Sequence, residues 1–596
     1  MKQTEYNITT EVLVVGGGAS GLVTALRAAE AGAQVLIAEK AEVGGGGTTP
    51  RSGHGLICIE EGDKAVEEYV EYHARNIGDY ATNQDMVRLI ASNMRDAIRY
   101  LIDRGVRISC EENGDIGLFP CPHGVPWAQV GVELNSLLSL RPKAINAGVK
   151  FQEHLQITGL LKDGDRIAGA CGFDIYDGTF IVINAKAVVI ATGPCGYKNT
   201  PMFSYCGEGN RLAYDAGAEM RSAEFGNFYE NYAVVKGNTI YGGYPFTFND
   251  KGENMWDKYV TWHAPDMTTE FYKGFVKEYR EGTRMYIDMD AFLEAMMGDS
   301  DWKAMGQHLV DIGDEGTKIR FYEDRLKTNE IMERKMKEAG MEFGKKPEVK
   351  LTMHGNTGPI KVGLDFQTTV PGLFATGVAN WNGCGAGGAV GQPGMQHGNG
   401  SGHAFFTGYL TGPKVAEYAK DVTVMPSIDK TQVEAIREET YSPIERTDGF
   451  DAHDMISEVQ DCITPIKYNL IRSEAGLSEA LGKLEKVRSE KLVHMKAKDW
   501  HDLKICNEVK GMAVSGEIMM IAAKARNETR GFHIREDYPY RDDKNWLRWT
   551  IVRKIDGKTV VSAEDIPIDI YKYRPDNKHE SKLEVLPDQP QAPVAK

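Results

Sequence analysis

The chain has 596 residues, 42% apolar and 26% charged, which excludes wholesale disorder, a collagen-like repeat and a disulfide mini-scaffold and leaves room for several domains. Its net charge of −16 argues against nucleic acid as a partner, because phosphate would be repelled. Nine scattered cysteines form no Cys-x-x-Cys and no iron–sulfur run, which suits a reducing, cytoplasmic setting.

Met1 to Thr10 is polar and lacks the basic start and apolar core of a signal peptide. No later stretch reaches the roughly 18 apolar residues of a membrane span, so the protein is expected not to be a membrane protein itself. Glu11 to Val15 reads as a buried strand, Gly16-Gly-Gly-Ala-Ser-Gly21 as a turn, Leu22 to Ala31 as a helix closed by Gly32, and Gln34 to Glu39 as a second strand. This is a β-turn-α-β unit in about 30 residues. A glycine run at Gly44–Gly47 follows, then Thr48 to Gly55. Residues 83–105 read as an amphipathic helix. Residues 150–193 read as short strands ending in Ala187-Val-Val-Ile-Ala-Thr-Gly193.

From 235 to 345 aromatic residues stand among charged helices, which reads as an insertion. Glycine-rich sequence returns at 351–411. Helices are expected over 428–530, a short β segment over 546–576, and a loose tail over 586–596 with its three prolines. The aromatic residues of the insertion, and Trp127 beside Cys121 to Pro126, read as core.

Gly16-x-Gly18-x-x-Gly21 follows a strand, opens a helix and is trailed by Glu39, the arrangement that binds a dinucleotide. The first glycine makes the turn, the second admits pyrophosphate to the backbone, and the third lets helix and strand pack. Glu39 takes the ribose hydroxyls. A second formal match, Gly383-x-Gly385-x-x-Gly388, has no helix directly after it and no carboxylate about 20 positions on. One dinucleotide site is therefore expected, with none for a nicotinamide cofactor. His397 and His403 are six apart, which is not the spacing of a helical metal pair, and no metal is expected.

Gly16 to Lys40, Gly44 to Gly55, Ala191-Thr-Gly193, Thr369 to Gly377 and Thr529-Arg-Gly-Phe-His-Ile-Arg-Glu-Asp-Tyr-Pro539 occur in this order. With these segments the chain resembles the FAD flavoprotein superfamily of fumarate reductase, succinate dehydrogenase, L-aspartate oxidase and adenylylsulfate reductase. The resemblance implies an α/β fold: a Rossmann-type FAD-binding domain split by an inserted α+β capping domain, then a helical C-terminal domain. On this sequence the parts are 1–234 and 349–425 for the FAD-binding domain, 235–348 for the cap, 426–545 for the helical domain, and 546–596 for a β segment and tail. The resemblance assigns FAD contacts to Gly16, Gly18, Ala19, Ser20, Gly21, Glu39, Lys40, Gly46, Gly47, Thr48, Ser52, Gly53, His54, Ala191, Thr192, Gly193, Gly377 and Asn380. Arg51-Ser-Gly-His54 is similar to the Ser-Gly-Gly of members that hold FAD without a covalent bond, so non-covalent FAD is expected.

The chain departs from the dicarboxylate enzymes of that superfamily. Val378 replaces the acid that usually holds the ribityl chain. Phe228-Tyr-Glu-Asn-Tyr232 stands at their Phe-His-Pro-Thr-Gly, Lys273 near their catalytic arginine, and Trp381 to Thr411 holds no arginine or lysine. Dicarboxylates need charge-assisted, preferably bidentate, cations, so succinate and fumarate are not expected as substrates. His354, in Thr352-Met-His-Gly-Asn356, resembles a family histidine near flavin and substrate. His354, Lys273 and Tyr229 are the candidates to move a proton; His397 and His403, with Gln392, Gln396 and Asn399, crowd the glycine-rich loop and could line a pocket for a less charged molecule.

The expected function is that of an FAD-dependent oxidoreductase, a flavoprotein subunit passing a hydride at flavin N5 to or from a small molecule that is not a dicarboxylate. Electrons are exchanged with a separate carrier protein, ferredoxin-like or an iron–sulfur subunit. Two alternatives stay open: an adenylylsulfate-reductase-like alpha subunit with an iron–sulfur partner, and an electron-transfer flavoprotein subunit without a substrate of its own.

Overall fold

The computed structural model describes residues 5–52, 55–120, 125–199, 205–232, 246–260, 267–288, 290–291, 334, 346–356, 358–381 and 399–575; of Ser52, Tyr229 and His354 it describes the backbone only. A seven-stranded sheet organises the first half. Its strands are β1 (Glu5–Val15), β2 (Val35–Ala38), β3 (Lys150–Gln152), β4 (Leu155–Asp163), β5 (Arg166–Asp174), β6 (Phe180–Ile190) and β7 (Leu373–Ala375). Their order is β3-β2-β1-β6-β5-β4, with β7 also on β6. The β1–β2, β2–β3, β1–β6 and β6–β7 pairs are parallel; β4, β5 and β6 form an antiparallel extension.

The apolar run expected as a strand over 11–15 is the buried half of a longer one. β1 starts at Glu5 because β6 pairs with it along almost its whole length, from Glu5 opposite Phe180 to Val15 opposite Ile190. Its outer half is solvated, so burial alone did not mark it. Helix α1 (Ala19–Glu30) returns the chain from β1 to β2.

Residues 399–411, read from composition as part of a glycine-rich loop, belong to a helix, α2 (Asn399–Asp421). The correction has a tertiary cause. α2 lies so close to α1 that a Cβ on Gly408 would stand 2.7 Å from the Ser20 carbonyl oxygen, and one on Gly412 would stand 2.4 Å from Arg27 Cβ. Glycine is unfavourable in an isolated helix, but here it is what lets the two helices touch.

The strands flanking the insertion, Gly226–Tyr232 and Glu348–Asn356, pair directly with each other, and Met285–Ile287 and Thr247–Asn249 complete a four-stranded sheet. Trp256, Phe271, Tyr272 and Phe275 are buried beneath it, as expected of core aromatics. The helical region contains Lys430–Glu445, Ala452–Ile463, Glu474–Glu490 and α3 (Trp500–Ala525). α3 buries residues around its whole circumference, as a central helix does. The expected β segment near the C-terminus is the hairpin Arg548–Ile555/Lys558–Asp565. No described helix is long and apolar enough to cross a membrane.

Gly412→Ala should force α1 and α2 apart and cost about 1–3 kcal/mol by overpacking. The check is a lowered thermal unfolding midpoint, with the exposed Gly482→Ala as a control that leaves it unchanged or raised.

Candidate functional site

The site grows from one tight junction. β1 ends at Val15, whose carbonyl accepts the Ala191 N–H at 2.8 Å, while the Gly16 N–H donates to the Ala38 carbonyl at 2.9 Å. Gly16 turns with φ +109°. A Cβ there would stand 2.6 Å from the Ala191 oxygen, and one on Gly21 only 1.9 Å from the Gly16 oxygen. Gly18 differs: a Cβ on it would meet nothing within 4 Å. Gly18 also caps α1 without a side-chain hydrogen bond, and the first turn, with Ala19 and Ser20, holds no acid. The glycine turn is therefore closed on its inner side and open at a helix N-terminus, where N–H groups lacking intrahelical acceptors can bind a phosphate.

Glu39, at the end of β2, accepts the Gly17 N–H at 2.6 Å and the Ala41 N–H at 2.9 Å. Burial pushes its carboxyl above the usual range, while the two N–H groups and Lys40 pull the other way. The glycine run folds back over this carboxylate: the Gly44 N–H donates to the Gly17 carbonyl, and Gly46 passes beside Glu39. Gly47 and Gly193 both lie against Tyr205, whose hydroxyl accepts the Thr48 N–H at 2.9 Å. Tyr205 thus braces two of the expected cofactor segments, and it was missed: nothing in its local sequence distinguishes it from a core tyrosine.

The third segment closes the cradle. Gly377 has φ +65° and lies against Ser20, where a Cβ would stand 2.4 Å from the Ser20 hydroxyl oxygen. Its N–H donates to Thr407 on α2. Asn380 directs its amide inward, to the Ala375 carbonyl and toward His403 Nε2 at 3.4 Å. Burial lowers the His403 pKa to about 3, so at neutral pH His403 is an uncharged brace for the segment from Gly377 to Asn380.

Lys40, next to Glu39, is engaged by carboxylates. Its ammonium is held by Glu208 and Glu508, each at 2.7 Å, and Lys198 pairs with the other Glu508 oxygen at 2.5 Å. This cluster joins β2 to α3. Cys206 with Glu208 and Glu508 has the makings of a metal group, but the lysines already occupy those carboxylates. Burial raises the Glu508 pKa, yet Lys40, Lys198 and Lys504 outweigh it and hold it at about 2.

Among the proton-transfer candidates, Lys273 is buried on the helix Met267–Arg280, among Phe271, Tyr272 and Phe275. Tyr229 lies opposite Thr352 in the strand pair flanking the insertion. Phe228 pairs with Met353 and Asn227 with Gly355, so His354 is the extra residue of a β-bulge, a feature frequent next to active sites. Gly53, His54 and His397 lie outside the described residues, as does the second glycine match at 383–388. Trp127 packs against Tyr69, Tyr72 and His73 in the core.

The chain matches the family model of the FAD binding domain over residues 11–402 and that of the fumarate reductase flavoprotein C-term over 457–580. It is 24% identical to the fumarate reductase flavoprotein subunit of Haemophilus influenzae, covering 91% of this chain and 92% of the relative. It is 25% identical to the L-aspartate oxidase of Streptomyces coelicolor, covering 94% of each. Its fold is that of the quinol fumarate reductase flavoprotein of E. coli (TM-score 0.77, 19% identity, 96% and 99% covered) and of adenylylsulfate reductase from Archaeoglobus fulgidus (TM-score 0.70, 18% identity, 95% and 97% covered). The glycine turn open at Gly18, the acid at the end of β2 and the segment from Gly377 fit the FAD that these matches imply.

Two outcomes follow from this geometry. Gly18→Ala should lower FAD occupancy while leaving the unfolding midpoint of the apoprotein in place, whereas Gly21→Ala should lower both; flavin absorbance per chain and thermal melts separate them. Glu508 titrates lower folded than its unfolded value of about 4.3, so its stabilisation is present above that pH and is lost as pH falls toward 2. Glu508→Gln should flatten the acid-unfolding curve in this window and lower stability at neutral pH, read by denaturant titration at each pH.

Proposed function

Since the chain belongs to the FAD-binding flavoprotein family that includes the fumarate reductase flavoprotein subunits, we propose that it oxidises or reduces a small molecule other than a dicarboxylate and exchanges electrons with a separate carrier protein. The observation that carries this reading is the pairing of the glycine turn at Gly16–Gly21, Glu39 and the Gly377 segment with a segment, Trp381 to Thr411, that contains no arginine or lysine. Two desolvated carboxylates without such cations would cost several kcal/mol each, of the order of an uncompensated buried ion.

Bound FAD supplies the hydride chemistry at its N5. The chain's own residues do the rest. The N–H groups of the Gly16–Gly21 turn bind the pyrophosphate, Glu39 orients the ribose, and Tyr205 and His403 keep the flanking segments in register. The substrate is held between the FAD-binding parts, 1–234 and 349–425, and the cap, 235–348. Lys273 gives or takes the proton, with His354 and Tyr229 as the remaining candidates. Lys273 is buried among the aromatic rings of its helix. FAD is bound without a covalent link. Several relatives bear the name flavoprotein subunit, which supports a protein partner, iron–sulfur or ferredoxin-like in kind. The seven described cysteines are free thiols, in keeping with a cytoplasmic setting.

The test is a dye-linked assay of the FAD-loaded chain against a panel of small molecules. Succinate and fumarate should give no turnover above free flavin. With an active compound in hand, Lys273→Met should lower kcat by about 10²–10⁴-fold at unchanged FAD occupancy. Turnover of fumarate at ordinary enzymatic rates overturns the substrate reading. The fold likeness to adenylylsulfate reductase supports one other chemistry, exchange at a sulfur centre, which turnover of sulfite with AMP would establish instead.

A further inference from the structure

The hairpin Arg548–Ile555/Lys558–Asp565 turns through Asp556 and Gly557, with φ +48° and +74°. In a two-residue turn of this kind the flanking pair, here Ile555 and Lys558, is hydrogen-bonded. Alternation along the unbroken register then fixes where each backbone group points. Lys558, Val560, Ser562 and Glu564 bond back to the first strand. Thr559, Val561, Ala563 and Asp565 direct their N–H and C=O groups to the other side. The first strand has the matching phase: Thr550, opposite Ala563, sends its carbonyl away from the hairpin to the Ser222 N–H at 2.9 Å.

The sheet ends at the strand Lys558–Asp565, with Arg548–Ile555 in its middle and Met220–Arg221 on the far side. Among the described residues, none bonds the outward backbone groups of Thr559, Val561 and Ala563. Val561 is 38% exposed, and Ser562 and Ala563 are exposed beside it. After Asp565 the chain turns inward, burying Ile566 and Tyr571 with Trp381 and Trp549, and adds no strand to this edge.

An open edge is a template for another strand, and proteins commonly blunt it with charge. Here the charges stand only at the two ends, Lys558 at one and Glu564 and Asp565 at the other, and Thr559 to Ala563 is uncharged. Such a strand is complementary to an antiparallel copy of itself, since opposite ends then meet. The register follows as well. Outward groups must meet outward groups, so Val561 can face Val561, Ala563 or Thr559 but not Val560 or Ser562. With Val561 on Val561, Lys558 faces Glu564 twice, once on each side of the two-fold axis, Thr559 faces Ala563, and Val560 faces Ser562. Either neighbouring register loses both ion pairs: Val561 on Ala563 sets Val560 against Glu564, and Val561 on Thr559 sets Lys558 against Ser562. Glu564 is itself held in place by Arg221 at 2.7 Å and Lys361 at 3.1 Å.

We propose that the strand Lys558–Asp565 pairs antiparallel with the same strand of a second copy about Val561, joining two three-stranded sheets into one of six strands. The contact is isologous, so it closes as a dimer and does not propagate. Backbone hydrogen bonds supply its centre and the two Lys558–Glu564 pairs its ends. One strand edge buries less than the roughly 800 Å² per partner of a standard interface, so the dimer is reversible. The surface contains no residue of the FAD cradle and is independent of the proposed reaction.

The test is sedimentation velocity of the FAD-loaded full chain from about 1 to about 200 µM, where a dimer with a Kd of about 1–50 µM should appear. Val561→Asp sets two carboxylates against each other at the axis and should weaken the dimer at least about tenfold, with FAD occupancy unchanged. Mild oxidation reads the register, with the parent chain as control for its own thiols. Val561→Cys should cross-link to its copy, since facing residues lie within disulfide range. Ala563→Cys should not, because its copy lies four residues along the facing strand. Should Val561→Asp not fold, the two cysteine variants decide the matter. A monomer throughout the series, a dimer that Val561→Asp leaves intact, or cross-linking through Ala563→Cys in place of Val561→Cys overturns the proposal.

Discussion

One backbone contact sets the position of everything at the cofactor cradle. Gly16, Gly21 and Ala191 meet so closely that any side chain at the two glycines would collide with a carbonyl oxygen. That contact seats the N-terminus of α1 at the carboxyl ends of β1 and β6, where open α/β sheets place their ligands. α2 then packs on α1 through Gly408 and Gly412 and carries Thr407, which holds the Gly377 N–H. The cofactor segments, distant in sequence, are thus brought together by backbone approach before any polar recognition takes place.

A second layer of order is electrostatic and lies behind the first. Lys40, directly after Glu39, is tied through Glu208 and Glu508 to α3, and the buried Arg526 ties the segment before the capping strands to the C-terminal region through Glu224. Buried ion pairs are weak evidence for net stability. Their consequence here is positional: removal of one partner strands a charge in the interior, so these elements hold a single mutual arrangement.

How far the sequence alone reaches follows from the range of the interactions. The β-turn-α-β unit and Glu39 are legible because their parts are neighbours along the chain and each residue type has one steric or electrostatic task. The helix Gln84–Asp103 is legible from its amphipathic pattern and from Asn83, which caps it. Tyr205 is not legible, because its role depends on Gly47 and Gly193 arriving at its ring. The helix at Asn399 is hidden by glycines that make sense only against α1. The burial of His403 and the pairing of Lys40 with Glu208 and Glu508 are not legible either, because their partners lie far along the chain.

The central claim is that this flavoprotein keeps the FAD cradle without an anchor for two carboxylates. Titration of the FAD-loaded protein with succinate and with malonate, followed by the flavin absorbance difference spectrum, tests it most directly. The account predicts no saturable change, corresponding to a Kd weaker than about 10 mM. A saturable spectral shift with a Kd at or below about 0.1 mM would mean that a dicarboxylate site exists, and would contradict it.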